Sequence, residues 1–227
     1  AQDLGTAWLA RTIVYHASTG STNEDARRLA LVGTPEGTLV VADHQTSGRG
    51  RLQRSWLAPA GQALLFSVVF YPTLDARDAF QLTMLASVAA LGAIAEQTGL
   101  APSIKWPNDL TLQGRKLAGI LSEIGQAGER LYAVVGVGIN VNVEFTAAPE
   151  LQPLAISLSG ALGRPVARLP LLLAVLRRLE DLYDRLRAGQ SAYEEWRAHL
   201  GTLGQRVRVT GAEGAVEGVA IAVEPSG

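Results

Sequence analysis

The hydrophobic positions of this chain fall into short blocks with two different periods. Residues 12–16, 37–42 and 63–70 are rich in β-branched and aromatic side chains and read as strands. Residues 103–107, 110–112 and 116–124 follow as shorter strands, the first ended by Pro107 and the last two joined by a turn at Gln113-Gly114-Arg115. A second turn at 126–129 leads into 131–141, where Gly136 and Gly138 alternate with β-branched residues. Such glycines mark a strand that another backbone or a flat ligand crosses closely. The helical period appears in 21–32, 77–97, 156–162, 169–188 and 192–200. Ser21 and Glu24 have the spacing of a capping box, Pro170 suits a first turn, and Gly33 and Gly99 suit helix ends. In 169–188, Leu171, Val175, Leu179, Leu182 and Leu186 share one face, opposite Arg177, Arg178, Asp181 and Arg185. Residues 201–204 read as a linker, and 205–210 and 215–223 as two strands around a turn at 211–214. Strands that arrive as hairpins, with helices in separate blocks, predict an α+β fold with a mixed, mainly antiparallel sheet packed with helices. Two strands rarely stand alone, so the last unit reads as cut short or docked on the main body.

Composition narrows this picture. The 227 residues suit one large domain with a small appendage, and 48% hydrophobic content supplies a sizeable core. Lys and Arg number 20 against 21 Asp and Glu, which argues against a general nucleic-acid surface but leaves room for one local basic site. With no cysteine, disulfides, thiolate metal sites and cysteine nucleophiles are excluded, in keeping with a reducing cytoplasm. The N-terminus lacks the pattern of a signal peptide. The most apolar window, 84–95, is too short to span a membrane and is flanked by Gln81 and Glu96.

The chemistry gathers between the second and third strands. Residues 43–56 read DHQTSGRGRLQRSW, a loop in which Gly48 and Gly50 alternate with Arg49 and Arg51, and Arg54 follows. Glycine gives such a loop backbone freedom, and arginine brings a permanent charge and a fork of donors suited to carboxylate or phosphate. Such a loop could close over an anionic ligand, but short Gly/Arg runs are common, and alone the stretch reads sooner as a solvated basic loop or a short RNA-binding tract. Other chemistries are poorly supported. There is no P-loop, Gly136-Val137-Gly138 lacks the third glycine of a dinucleotide fingerprint, and His16, His44 and His199 have no metal-ligand spacing. The start of the first helix, with Ser21, Thr22 and Asn23, offers free N–H groups and small polar side chains to a polar ligand head.

Taken in order, Ser21-Thr22-Asn23, Gln45, Gly48 to Trp56, Lys105-Trp106-Pro107-Asn108-Asp109, Arg115 to Glu123 and Val135 to Asn142 resemble the signature of biotin–protein ligases, the biotin–[acetyl-CoA carboxylase] ligases. The resemblance implies a class II synthetase-like catalytic domain over residues 1–200 and the start of an SH3-like domain over 205–227. It also implies a monofunctional enzyme without an N-terminal DNA-binding domain, cytoplasmic, without affinity for DNA or membrane, and monomeric or homodimeric. The implied reaction has two steps. Biotin carboxylate attacks the α-phosphate of Mg-ATP to give biotinyl-5′-AMP. A lysine of the biotin carboxyl carrier protein of acetyl-CoA carboxylase then displaces AMP. The implied biotin-binding residues are Ser21, Thr22, Asn23, Gln45, Arg49, Gly50, Arg51, Lys116 and Gly119. The ATP side falls to Arg49, Arg51, Arg54, Trp56, Lys105, Trp106, Asn108, Lys116 and Asn140. Arg51, Lys116 and Asp109 are the implied catalytic groups, Asp109 orienting or helping to deprotonate the acceptor lysine. The protein itself supplies no metal ligands; Mg2+ comes with ATP.

Two departures stand out. The family loop usually carries arginine and glycine where this chain has Leu52 and Gln53, so a stiffer loop is expected. The C-terminal domain is expected to be cut short. The rival readings are a lipoate or octanoate transferase of similar fold, an RNA-binding module and a biotin sensor without catalysis. The Gly-Arg-Gly-Arg and Lys-Trp-Pro-Asn-Asp pair favours biotin, near-neutral charge disfavours RNA, and retained Arg51 and Lys116 favour catalysis.

Overall fold

The computed structural model describes residues 4–73, 79–211 and 214–226. Its centre is β3 (Ala63–Phe70), in which all eight residues are buried. A strand buried on both faces belongs in the middle of a covered sheet. β3 lies between β2 (Leu39–Ala42) and β7 (Arg130–Asn140), both antiparallel to it. β1 (Ile13–His16) pairs parallel with β2 at one edge. β6 (Arg115–Ala127), β5 (Asp109–Leu112) and β4 (Ser103–Lys105) continue antiparallel on the other side of β7. The order is β1-β2-β3-β7-β6-β5-β4. The expected mixed, mainly antiparallel sheet is therefore what forms.

The period of two assigns the faces. Leu64, Phe66, Val68 and Phe70 of β3, with Val135, Val137 and Ile139 of β7, join the main core. That core is completed by α2 (Phe80–Thr98) and α4 (Arg168–Arg187). α2 is apolar on nearly all sides because it lies between the sheet and α4. α4 keeps one polar face, and the five leucine and valine positions expected to be inward are all buried. The opposite face of the sheet carries α1 (Thr22–Leu31), packed through Ala26 and Ala30 onto Val40, Val69 and Val134.

The helices α3 (Leu158–Leu162) and α5 (Tyr193–Ala198) are shorter than their sequence periods suggest, and two single-turn 3₁₀ segments occupy 145–151. β6 extends to Ala127, beyond the expected 124, because the turn needs only Gly128 and Glu129. The capping box does not form. Ser21 is the N-cap without a side-chain cap bond, and Glu24 turns instead to Arg27 at 2.6 Å. The expected start of α2 at Arg77, and residues 212–213 of the last turn, lie outside the described residues. β8 (Arg206–Gly211) and β9 (Gly214–Val219) form a two-stranded ribbon. The tail beyond it is tied down where Tyr193 donates to the carbonyl of Val223 at 2.7 Å.

One buried charge holds the first residues in place. Glu180 of α4 is 8% exposed and accepts the backbone N–H groups of Ala7, Trp8 and Leu9 at 2.7–2.8 Å. Burial alone would raise its carboxyl, but these three donors outweigh burial and hold it below the ordinary glutamate range. Trp8 then packs on Tyr183 and Phe70. Glu180→Gln offers one acceptor where two are used and is expected to cost about 2 kcal/mol. A thermal midpoint about 4–8 °C lower would report that loss in a protein of this size. Because the folded carboxyl is depressed, its stabilisation is present above the unfolded value and lost as pH falls through the folded one. The gap between wild type and variant should therefore close in acid.

Candidate active site

The site-facing side of the sheet is built in rows. Val69, Val134 and Glu123 form one row across β3, β7 and β6, Ser67, Gly136 and Leu121 the next, and Leu65, Gly138 and Gly119 the third. Two successive rows have glycine at their centre, so a trench runs across the sheet. A Cβ on Gly136 would collide with the side chain of Asn23. A Cβ on Gly138 would lie 2.8 Å from the Trp56 indole, and one on Gly119 would lie 3.1 Å from it. Asn23 and Trp56 therefore stand on neighbouring site-facing positions of β7, about 7 Å apart along the strand. The indole Nε1 of Trp56 is buried without a hydrogen-bond partner among the described residues.

The arginine loop is fixed at its base. Asp43, just after β2, accepts from Tyr15 at 2.7 Å and from Arg168 at 2.8 Å. The Tyr15 hydroxyl, with Arg168 behind it, holds the Asp43 carboxyl below its ordinary range. The loop then folds on itself: Gly50 N–H donates to Arg54 at 2.7 Å and Trp56 N–H to Gly48 at 2.9 Å. Gly48 is required, since a Cβ there would lie 2.6 Å from the Trp56 carbonyl oxygen. At the tip, Leu52 is 82% exposed with φ of 54°, a left-handed conformation that costs a branched side chain about 1–2 kcal/mol.

The three arginines are not equivalent. Arg49 is held by Glu123, with Glu24 at 3.9 Å, so its charge is already paired. Arg51 and Arg54 have exposed guanidinium groups with no ion pair or side-chain hydrogen bond to the described residues. Lys116 at the start of β6 is 2.6 Å from Asp109 and lies 5.6 Å from the centre of the Trp56 ring.

A hydrogen-bonded chain leaves the loop at Gln45 and returns to it at Arg49. The Gln45 carbonyl accepts Thr22 N–H at 2.7 Å and lies 3.0 Å from the Thr22 hydroxyl. Thr22 is 2.8 Å from Ser67, and Ser67 is 2.7 Å from Asn23 Oδ1. Asn23 Nδ2 donates to Glu123 at 2.7 Å, and Glu123 accepts Arg49. Ser21 is buried beside this chain at the N-cap.

The remaining expected residues lie around the trench. Trp106 and Asn108 line a cavity of about 340 Å³ with Arg51, Phe80 and Thr83, and the Asn108 amide is bound to the Ile120 carbonyl at 2.7 Å. Lys105 is exposed, without an ion pair among the described residues. Asn140 donates to the Ile156 carbonyl at 3.3 Å. Beyond it, 142–146 and 155–160, with Arg115 and Arg164, enclose a larger cavity of about 550 Å³. Residues 154–156 hold the backbone of Lys116 on both sides, at 2.8 and 2.9 Å. Sequence reading missed this wall and the roles of Ser67 and Glu123, and at Gly136 it expected a close crossing without naming Asn23. A lone serine within ALLFSVVF was the available signal for Ser67, since a buried hydroxyl needs a partner.

The fold that carries this arrangement is shared with known proteins. The chain is 36% identical over 228 residues to the bifunctional ligase/repressor BirA of Bacillus subtilis, covering 99% of this chain and 70% of that protein. It is 36% identical over 212 residues to the biotin–[acetyl-CoA-carboxylase] ligase of Mycobacterium tuberculosis, covering 90% of this chain and 76% of that one. The biotin protein ligase from Aquifex aeolicus, solved in complex with biotin and ATP, superposes with a TM-score of 0.80 at 31% identity, covering 92% of this chain and 86% of that one. Residues 15–140 match the biotin/lipoate A/B protein ligase family, and the chain belongs to that family.

Proposed function

We propose that this protein is a biotin–protein ligase that activates biotin as biotinyl-5′-AMP and transfers it to a lysine of the biotin carboxyl carrier protein of acetyl-CoA carboxylase. The observation that carries the reading is the juxtaposition of uncharged hydrogen-bonding groups at Thr22, Asn23 and Gln45 with the Lys116 ammonium across Trp56. Biotin's ureido ring is flat, neutral and hydrogen-bonding. The slot between Asn23 and Trp56, with Ser21, Thr22 and Gln45 at its end, matches that chemistry. Gly119 lets the Trp56 indole close on β6 beside the slot, and Gly50 lets the loop turn back on Arg54. The biotin carboxylate extends toward Lys116.

At that end two anions must meet, and fixed positive charge offsets their repulsion and stabilises charge developing at phosphorus. Arg51 and Arg54 bring unpaired charge on the loop, and Lys116 brings a positioned ammonium. Carboxylate oxygen bonds to the α-phosphorus as pyrophosphate leaves. Asp109, 2.6 Å from Lys116, holds that ammonium in place. In the second step the acceptor amine attacks the acyl carbon, AMP departs, and the amine loses a proton. Asp109 is the carboxylate nearest Lys116 and suits that proton. The cavity beyond Asn140, walled by Ala155 and Ile156, suits the adenosine. Lys105, Trp106 and Asn108 support the strand end that carries Asp109.

Among the described residues no group of three or more His, Asp or Glu side chains could hold a metal ion. Mg2+ fits this site only as a passenger of the triphosphate, ligated by phosphate oxygens and water. It would supply charge neutralisation there, and none of the roles given to the residues passes through it. No helix among the described residues is long and apolar enough to cross a membrane, and with no cysteine a cytoplasmic setting is the one this chemistry suits.

Pyrophosphate–ATP exchange with biotin, lipoate, octanoate or no acid tests the reading. Exchange is expected with biotin alone; exchange driven by lipoate or octanoate instead would move the protein to the transferase branch of the family. Arg51→Ala is expected to slow the exchange by about 10²-fold or more while biotin still binds. Unchanged exchange in that variant would remove Arg51 from the mechanism. Gly136→Ala should displace the Asn23 amide. We expect the unfolding free energy from urea titration to fall by about 1–3 kcal/mol, together with loss of biotin binding.

A further inference from the structure

The third row of the site-facing side does not end at Gly119. Asp109 of β5 stands opposite Gly119, and Lys105 of β4 stands opposite Asp109. Directly opposed residues share a face of the sheet, so Lys105 is the outermost member of that row. The alternate positions agree: Ile104 and Leu110 are buried in the main core on the other face. Lys116 reaches into the same row, since a Cβ on Gly119 would lie 3.4 Å from its Nζ, and it already occupies Asp109 at 2.6 Å. Lys105 is left exposed, without an ion pair or side-chain hydrogen bond to the described residues. Two strand spacings, about 10 Å, separate its Cα from that of Gly119, and a lysine stem reaches about 6 Å. The Lys105 nitrogen can therefore swing back over Asp109 to the flank of Lys116. Composition sharpens this placement. Of the 20 lysines and arginines in the sequence, two are lysines, Lys105 and Lys116. A guanidinium stays protonated and does not attack an acyl group, whereas a lysine amine does once it has lost its proton. The side-chain amines of this chain thus stand at the one place where an acyl group is activated.

We propose that Lys105 is an acceptor built into the chain: in the absence of the carrier protein, the acyl group of biotinyl-5′-AMP passes to Lys105 and the ligase modifies itself. The inference rests on the reading of this site as a biotin ligase, which supplies the activated acyl group. The neutral Lys105 amine attacks the acyl carbon, and the bond from that carbon to the phosphate oxygen breaks. AMP leaves with the electron pair, and the nitrogen gives its proton to Asp109, from which it passes to water. The products are a biotinyl amide at Lys105 and free AMP, and no further reactant is consumed. Lys116 does not take this role, because its ammonium is bound to Asp109. An amine held beside the reacting carbon attacks as an intramolecular nucleophile, and a carrier lysine delivered to the same carbon competes with it. Once acylated, Lys105 keeps the biotin arm at its own site and bars the next biotin. Turnover therefore halts when carrier is scarce.

Incubation of the full chain with biotin and Mg-ATP, without carrier, tests this. Adenylate is measured in acid-quenched samples, and adducts by intact mass and peptide mapping of the same samples. Adenylate is expected first, followed by a single biotinyl group mapped to Lys105. Because the transfer is intramolecular, its first-order rate constant should stay unchanged over about a tenfold range of enzyme concentration. Absence of adenylate would overturn the reading of the site and the inference with it. Adenylate without an adduct, an adduct on Lys116 or the α-amino group instead, or a rate constant that climbs with enzyme concentration would overturn the inference alone. Lys105→Arg keeps the charge and removes the amine. Where that variant forms adenylate, the adduct should fall by about tenfold or more, and an undiminished adduct would overturn the inference; where it forms none, the mapping of the wild-type chain decides. Excess biotin carboxyl carrier protein should suppress the wild-type adduct by about tenfold or more, and an adduct that forms equally fast in its presence would overturn the competition for one acyl group.

Discussion

Everything in the site depends on Asn23 coming down onto the sheet where Gly136 has no side chain. Any Cβ at that position would occupy the space of the asparagine amide. From there Asn23 reaches β3 through Ser67 and β6 through Glu123 and Leu121, so one side chain from α1 ties two strands that flank β7. α1 could not otherwise approach so closely. Its N-terminus would stand off the sheet, Thr22 would leave Gln45, and the loop would lose one of its attachments. A buried polar network of this kind is stabilising only when all its members are satisfied. The glycine is therefore as much a part of the network as the groups that form the bonds.

The same trench separates two kinds of chemistry. At the Asn23 end the groups are neutral, apart from Glu123, and Arg49 offsets that charge. At the other end stands the Lys116 ammonium, beside Asp109. Trp56 stands between them on Gly138 and Gly119, with Lys116 near its ring face. A ligand with a neutral head and an anionic tail can lie in only one sense across such a surface. The alternation of glycine and arginine in the loop has the same logic. Gly48 permits the backbone to pass Trp56, Arg49 anchors, and Arg51, after Gly50, remains available for an incoming anion.

Much of this was legible in the sequence. The strands and the inward face of α4 followed from periodicity, and β-branched residues around Gly136 and Gly138 signalled a close crossing. What crosses them was not legible, because a glycine records that something is near without saying what. Here two side chains of the protein itself, Asn23 and Trp56, fill the space. The capping box failed for a related reason. Glu24 has Arg27 and Arg28 within reach on its own helix and Arg49 across from it, and charge outcompetes a backbone N–H for the carboxylate. Glu180 stands among charged neighbours in α4, and nothing local sets it apart from them. Only the fold brings three backbone donors from the first residues onto it. Pairing between such distant positions leaves no local pattern.

The placement of the loop shows how the fold divides rigidity from freedom. Its base is fixed to three elements at once: Asp43 is bound by Tyr15 of β1 and by Arg168 of α4, and Arg168 also reaches the Ala63 carbonyl of β3. Arg49, four residues past Gln45, is fixed again through Glu123. Between Arg49 and Trp56 the attachments are almost all within the loop, and Leu52 at the tip sits in a conformation that favours glycine. A loop held this way cannot drift as a unit. Only its tip, the part that carries Arg51 and Arg54, can change conformation cheaply, and relief of the Leu52 backbone favours such a change. The cations proposed for the reacting phosphate are therefore on the movable part, while the groups proposed to recognise the neutral ring are on the fixed part.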